Sequence, residues 1–267
     1  MDLQLRDKRA IITGSTSGIG AAIAKALAQE GAIVIIHGRK EEQANRMAHK
    51  ISADGGKAFV AVGDISTDEG ARQVATKVLS LVGSIDILVN NAGIYEDRTW
   101  MDSNPKGWAE IYNANVISMV RMIQLLVPHM KQLGWGRIIQ IASGLAIQPF
   151  AARPDYQATK AATLNMTVSL AKELAQTGIT VNTVSPGLIA TEGAKRIFHQ
   201  IALAKGWGSE WTEIEKHLVQ EDWPNPSSRL GRPEEVANII AYLASPLADY
   251  INGANIRVDG GGVGAIN

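Results

Sequence analysis

Seven short runs of branched apolar residues punctuate the chain: RAIIT at 9–13, AIVII at 32–36, AFVAV at 58–62, DILVN at 86–90, RIIQIA at 137–142, ITVNTV at 179–184 and ANIRV at 254–258. Their apolar character is continuous rather than alternating. That predicts strands buried on both faces, as in a parallel sheet covered by helices. Between the runs the period changes. IGAAIAKALAQEG, after the first run, sets Ile19, Ala22, Ile23, Ala26 and Leu27 on one helical stripe and stops at Gly31. The stretches at 104–134 and 154–178 are long enough for full crossover helices, and RPEEVANIIAYLAS precedes the last run. Strand and helix alternate throughout, so the predicted class is α/β. No linker or low-complexity tract divides the sequence, and a single domain over 1–267 is expected. The exception is residues 191–230, which carry Trp207, Trp211 and Trp223 but no convincing strand, and form a candidate lid.

Charge narrows the partners. Lys and Arg number 26 and Asp and Glu number 26, so nothing in the balance draws the chain to nucleic acid or to an acidic membrane. There is no cysteine, which excludes disulfides and thiolate chemistry and fits a reducing compartment. The histidines, at 37, 49, 129, 199 and 217, have no metal-ligand spacing and are read as solvated or locally hydrogen-bonded, so no metal is expected. MDLQLRDKRA shows neither a secretory signal nor an anchor, and a soluble cytoplasmic protein is expected.

The first run leads through TGSTSGIG into a helix, with glycine at 14, 18 and 20. Glycine there allows a tight turn, close approach of backbone to a pyrophosphate and close helix packing, while the helix start offers N–H donors. No Gly-Lys-Ser/Thr follows, so the loop predicts a dinucleotide rather than a nucleoside triphosphate. An NAD site carries an acid at the end of the second strand to hold the ribose 2′-hydroxyl. Here that position is Gly38, followed by Arg39 and Lys40, which favours the 2′-phosphate of NADP. NAD stays open, with Arg39 a solvated charge or with Glu41 or Glu42 on the ribose; both acids also suit a helix start.

Tyr156 and Lys160 stand one helical turn apart in YQATK. Hydride reduction of a carbonyl needs a proton donor at oxygen, the reverse needs a base, and a tyrosine serves both. Moving a phenol from its free value near 10 to about 7 takes roughly 4 kcal/mol. A cation about 4 Å away supplies about that much at an effective dielectric of 20.

With NNAG at 90–93, Asn115 in NANV, Ser143 in IQIASG, SPGLIAT at 185–191 and VDGG at 258–261, in that order, the sequence resembles the short-chain dehydrogenase/reductase family over nearly its whole length. The resemblance implies a doubly wound seven-stranded parallel sheet, commonly assembled as a tetramer. It implies a catalytic tetrad of Asn115, Ser143, Tyr156 and Lys160, with Ser143 orienting the substrate oxygen, Lys160 on the nicotinamide ribose and Asn115 holding a water. Implied cofactor contacts are Gly14, Ser15, Thr16, Ser17, Gly18, Ile19 and Gly20 in the loop, and Asp64 and Ile65 beside the adenine. Asn91, Ala92 and Gly93 follow, with Pro186, Gly187, Ile189 and Thr191 around the nicotinamide. The expected partner is a small carbonyl or alcohol substrate.

GRPEEVA at 231–237 is similar to the acyl-carrier-protein reductase branch, from which the longer, tryptophan-bearing lid departs. A reductase of acyl-carrier or acyl-thioester substrates, docked through Arg121, Lys131 and Lys172, is one alternative. A non-catalytic dinucleotide sensor or scaffold is another. Phe150 and Arg153 lie near the site by connectivity, and Arg153 is either a grip on an acidic substrate or a solvated loop residue.

Overall fold

In the computed structural model, which describes residues 1–265, all seven apolar runs are strands of one parallel sheet. Residues 266 and 267, the last of the expected domain, lie outside the described residues. The strands are β1 (Arg9–Ile12), β2 (Ile33–Gly38), β3 (Lys57–Val62), β4 (Ile87–Asn90), β5 (Gly136–Ile141), β6 (Ile179–Pro186) and β7 (Asn255–Val258), in the order 3-2-1-4-5-6-7. The order reverses between β1 and β4, which pair in parallel from Ala10 with Ile87 to Ile12 with Val89. Crossovers leave β1 and β4 in opposite directions, so a crevice opens at their carboxyl ends.

Helices cover both faces. On one side α1 (Gly18–Gln29), α2 (Glu41–Ala53) and α9 (Pro233–Leu243) bury Ile23, Leu27, Met47 and Ile240 against Ile12, Val34 and Val89. On the other, α3 (Asp68–Val82), α5 (Ser118–Leu133) and α6 (Pro154–Glu173) meet Ile11, Leu88, Ile138 and Val181 through Val74, Met122 and Ala171. Alternate residues of each strand serve opposite faces, which is why the runs are apolar without alternation.

One helical stretch differs from the expectation and another has an unusual inner face. The stretch at 104–134 is not continuous: α4 (Pro105–Tyr112) passes into α5 through a π-helical turn at Asn113–Ile117. Side-chain bonds tie that turn to its surroundings, from Asn113 Nδ2 to the Ser66 carbonyl at 2.8 Å and from Ser118 Oγ to the Ala114 carbonyl at 2.7 Å. In α6 the inward face is polar. Thr159, Thr163 and Thr167 are buried and return their hydroxyls to carbonyls three or four residues back, at 2.6–3.0 Å. Polar groups that satisfy one another within the helix can be buried at little cost.

Residues 191–230 form α7 (Glu192–Lys205), α8 (Trp211–His217) and a π turn at Leu218–Asp222. They have a core of their own around Phe198, Ala202, Ile214 and Leu218, with Trp207, Trp211 and Trp223 packed on it. The tryptophans therefore pack the segment itself. Its ends are joined where Ala190 N–H donates to the Gly231 carbonyl at 2.8 Å and Gly231 N–H to that of Leu188 at 3.0 Å.

Candidate active site

The glycine loop leaves β1 and is fastened on both sides before α1 begins. Thr13 Oγ1 accepts from the backbone N–H of Asn91 and of Ala92, each at 2.9 Å, and Asn91 Nδ2 donates to the carbonyls of Thr13 and Gly14 at 2.8 and 3.1 Å. Gly14 and Gly18 have φ of 65° and 57°, where glycine carries little strain. At Gly20 a β-carbon would run into the Gly14 carbonyl and lie 2.6 Å from Asn91 Nδ2, so close approach fixes this glycine.

His37 fastens the loop from the β2 side. Its Nδ1 accepts from Gly14 N–H at 3.1 Å, so its proton sits on Nε2, which donates to the Gly63 carbonyl at 3.2 Å. The Ser15 N–H donates to the His37 carbonyl and the His37 N–H to Ser15 Oγ, both at 2.9 Å. Burial, against the weaker effects of the Gly63 bond and Asp64, pushes the imidazole down to about 4, so it is neutral. The sequence reading left His37 as a minor, solvated or locally bonded residue. It instead joins β1, β2 and the end of β3, as Thr13 joins β1 to β4.

Of the residues proposed from sequence, Ile19, Asn91, Gly93, Tyr156, Lys160, Pro186 and Gly187 line one cavity of about 170 Å3 at the sheet reversal. Lys160 is 4% exposed, its Nζ donates to the Ile141 carbonyl at 2.8 Å, and burial brings it down to about 8. Nζ lies 5.5 Å from the centre of the Tyr156 ring. Burial pushes the phenol above its ordinary value, opposed by the Ser143 hydroxyl and by the charge of Arg153. Lys160 Nζ is directed at the Ile141 carbonyl, so the lysine faces backbone as well as the phenol.

Asn115 is fully buried behind this pair. Its Oδ1 accepts from Ile94 N–H at 2.7 Å, and its Nδ2 donates to the Ile94 carbonyl at 2.8 Å and to Thr159 Oγ1 at 3.1 Å. Both amide hydrogens are used, so a water held at Asn115 would have to donate, to the second lone pair of Oδ1 or to the backbone carbonyl. A β-carbon on Gly93 would lie 3.2 Å from Asn115 Oδ1 and 3.6 Å from Lys160 Nζ.

Other proposed residues have side chains engaged elsewhere. Ser15 is bound to His37, while Ile65 and Ile189 are buried in the two sheet cores. Thr191 caps α7, accepting from Ala194 N–H at 3.1 Å, and Asp64 accepts from the N–H and hydroxyl of Ser66 at 3.0 and 2.7 Å. Thr16, Ser17 and Gly18 form the turn into α1, and Arg39 is exposed past β2.

Of three neighbours of Tyr156, Arg153 is placed near the site by connectivity, while Tyr95 and Asp155 carry no sequence signal. Tyr95 stands edge-on to it at 6.0 Å, and Arg153 lies over the Tyr95 ring at 4.7 Å while paired with Asp97. Arg153 is therefore neither free to grip a substrate nor simply solvated. Asp155, fully buried, accepts from Tyr156 N–H at 2.8 Å and faces Arg98 at 3.9 Å.

The cavity and loop suit a dinucleotide. The start of α1 has no side-chain cap and no acid in its first turn, which leaves its N–H donors and dipole available to a pyrophosphate. Among the described residues no cluster suits a metal, and no helix is long and apolar enough to cross a membrane. A doubly wound sheet with this loop at its reversal, and a half-buried tyrosine and a buried lysine beside it, defines a nicotinamide-dependent oxidoreductase. The short chain dehydrogenase model matches residues 8–202, and the chain belongs to that family.

Among its relatives, "Uncharacterized oxidoreductase YvaG" of Bacillus subtilis is 39% identical over 264 residues, 98% of each chain. The 3-oxoacyl-[acyl-carrier-protein] reductase FabG of Aquifex aeolicus is 36% identical over 98% of this chain and 99% of its own. L-sorbose reductase from Gluconobacter frateurii, solved with NADPH and L-sorbose, superposes with a TM-score of 0.94 at 35% identity, covering 100% of both chains.

Proposed function

We propose that this protein is an NADP-preferring reductase of a small polar carbonyl compound, with Tyr156 giving the proton. The carrying observation is geometric: Tyr156 and Lys160 line one cavity with Asn91, Gly93, Pro186 and Gly187 at the sheet reversal, with Lys160 Nζ 5.5 Å from the centre of the Tyr156 ring. A phenol carries its proton at neutral pH and can give it to a developing alkoxide. NADP(H), when bound, supplies or accepts the hydride at the substrate carbon.

Ser143 positions the substrate oxygen, Tyr156 O–H donates to it as negative charge develops, and the Lys160 charge steadies the phenolate left behind. Asn115 holds the Ile94 backbone on one side and Thr159 on the other, and so fixes the strand end against the helix bearing Tyr156. The glycine loop, Asn91 to Gly93 and Pro186 to Thr191 are the cofactor contacts. Several act through backbone, since the side chains of Ser15, Ile65, Ile189 and Thr191 are committed elsewhere.

A polar ketone is the first substrate class to test. Tyr95, Arg153 and Asp97 stand beside Tyr156, and the sorbose reductase has nearly the same fold. An acyl-carrier partner has less support. Arg121, one of its three candidate docking cations, is paired with Asp68 at 2.5 Å and bonded to Asn113 at 2.9 Å. Residues 191–230 act as the substrate lid, and the lack of cysteine suits a cytoplasmic setting.

Gly38 and Arg39 carry the cofactor preference. NADPH is expected to bind at least about tenfold tighter than NADH, and Arg39→Ala to remove most of that difference, as loss of a charge-assisted phosphate bond would. Titration by energy transfer from tryptophan to nicotinamide measures both. Equal affinities, unchanged in Arg39→Ala, would reject the NADP preference.

A homo-oligomer is the assembly that the family resemblance favours, and exposed apolar side chains on α5 and α6 are compatible with it. Val168 and Leu133 are each 43% exposed, and Ile117 in the π turn is 41% exposed. Apolar side chains along outward helix faces favour a second copy, and the family resemblance favours a tetramer. Sedimentation velocity is expected to show a tetramer that Val168→Glu dissociates. A monomeric wild type at micromolar concentration would end this reading.

A further inference from the structure

We propose that Thr16 selects the cofactor, by filling the space in which an acid at position 38 would have to place its β-carbon. This rests on the NADP reading above and names the residue that enforces it. Gly38 ends β2 where an NAD-binding acid would grip the ribose 2′-hydroxyl. It is not among the glycines with positive φ, so no backbone conformation reserves the position for glycine.

Space reserves it. A β-carbon on Gly38 would lie 2.6 Å from Thr16 Cγ2, 3.5 Å from its Oγ1 and 3.7 Å from its Cβ. Threonine is branched at Cβ and stiff, so rotation exchanges one branch for the other rather than clearing the space. The loop has no freedom to withdraw. Ser15, its neighbour, is bonded to His37 through both N–H and Oγ at 2.9 Å, and Gly14 N–H is bonded to His37 Nδ1 at 3.1 Å. Thr16 is thereby held against the end of β2.

The same arrangement leaves two donors for an anion, the Thr16 hydroxyl and the exposed guanidinium of Arg39. The nearby acid, Asp64, is turned onto Ser66. Thr16 thus works in both directions, as a steric bar to the acid of an NAD site and as a donor toward the 2′-phosphate.

The test compares wild type, Thr16→Ala, Gly38→Asp and the double variant. NADPH and NADH dissociation constants are read by tryptophan fluorescence, and melting temperature is read without cofactor. Gly38→Asp alone is expected to melt lower and to gain no NADH affinity. The double variant is expected to recover the melt and to bind NADH at least about tenfold tighter than Gly38→Asp, a non-additivity expected only of residues in contact. Gly38→Ala, with and without Thr16→Ala, isolates the β-carbon and is expected to repeat the loss and recovery of the melt.

If Gly38→Asp alone binds NADH as tightly as the double variant, or if the substitutions are additive in both readouts, the proposal is overturned while a wild-type NADPH preference stands. A wild type that binds NADH as tightly as NADPH removes the NADP reading, and the proposal with it.

Discussion

Replacing Tyr156 by Phe lowers turnover of a reducible ketone by about 100- to 10,000-fold, the range a positioned acid supplies, and leaves NADPH affinity within about twofold. The substitution removes only a hydroxyl. The ring keeps its edge contact with Tyr95 at 6.0 Å, and the helix start keeps the bond from Tyr156 N–H to Asp155 at 2.8 Å. Ser143 and Lys160 remain in place, the latter through its own bond to the Ile141 carbonyl. What disappears is the one proton at hand for the developing alkoxide. The measurement is kcat and KM on the best ketone from a substrate screen, with cofactor binding followed separately. A loss of turnover smaller than about tenfold would mean that water or another group delivers the proton, and the role given to Tyr156 would fall.

Stability falls by about 3 kcal/mol between pH 6.5 and pH 4 through His37 alone. The sign follows from the shift. Burial takes the imidazole from 6.5 down to about 4 in the folded protein, so within that interval the unfolded chain binds a proton that the folded chain refuses. Stability therefore rises with pH through the interval. The contribution is complete above 6.5 and gone below about 4. A proton on Nδ1 would also displace the bond from Gly14 N–H, so the glycine loop loosens with the same titration. Denaturant unfolding from pH 7.5 to 4, for wild type and His37→Asn, isolates the effect, because the amide oxygen of asparagine accepts in place of Nδ1 and does not titrate. Parallel profiles for the two proteins would show that His37 is not the group responsible.

The strands were legible in the sequence because burial on both faces leaves an unbroken apolar run, as at AIVII and RIIQIA. The glycine loop and the Tyr156–Lys160 pair were legible because their meaning lies in spacing within a few residues. Contacts made across the fold were not. Thr13 and His37 acquire their work only when β1, β2, β3 and β4 are laid side by side. The π turn at 113–117 follows the reach of Asn113 and Asn115 to distant backbone, which no helical period records. The inward face of α6 was hidden by chemistry, since Thr159, Thr163 and Thr167 look like solvent-facing residues until their hydroxyls are seen returning to the helix carbonyls.

The closure between Leu188, Ala190 and Gly231 gives residues 191–230 the character of an exchangeable cassette. Both ends leave from one stitched point beside Pro186 and Gly187, most of the apolar packing lies within the insert, and a further tie runs from Ser227 N–H to the Gly260 carbonyl at 3.2 Å. The entropy of closing such a loop grows only slowly with its length, so a longer or shorter insert changes the stability of the sheet little. Changes of length confined to this cassette are thus expected to leave the β1–β4 crevice and its glycine loop in place.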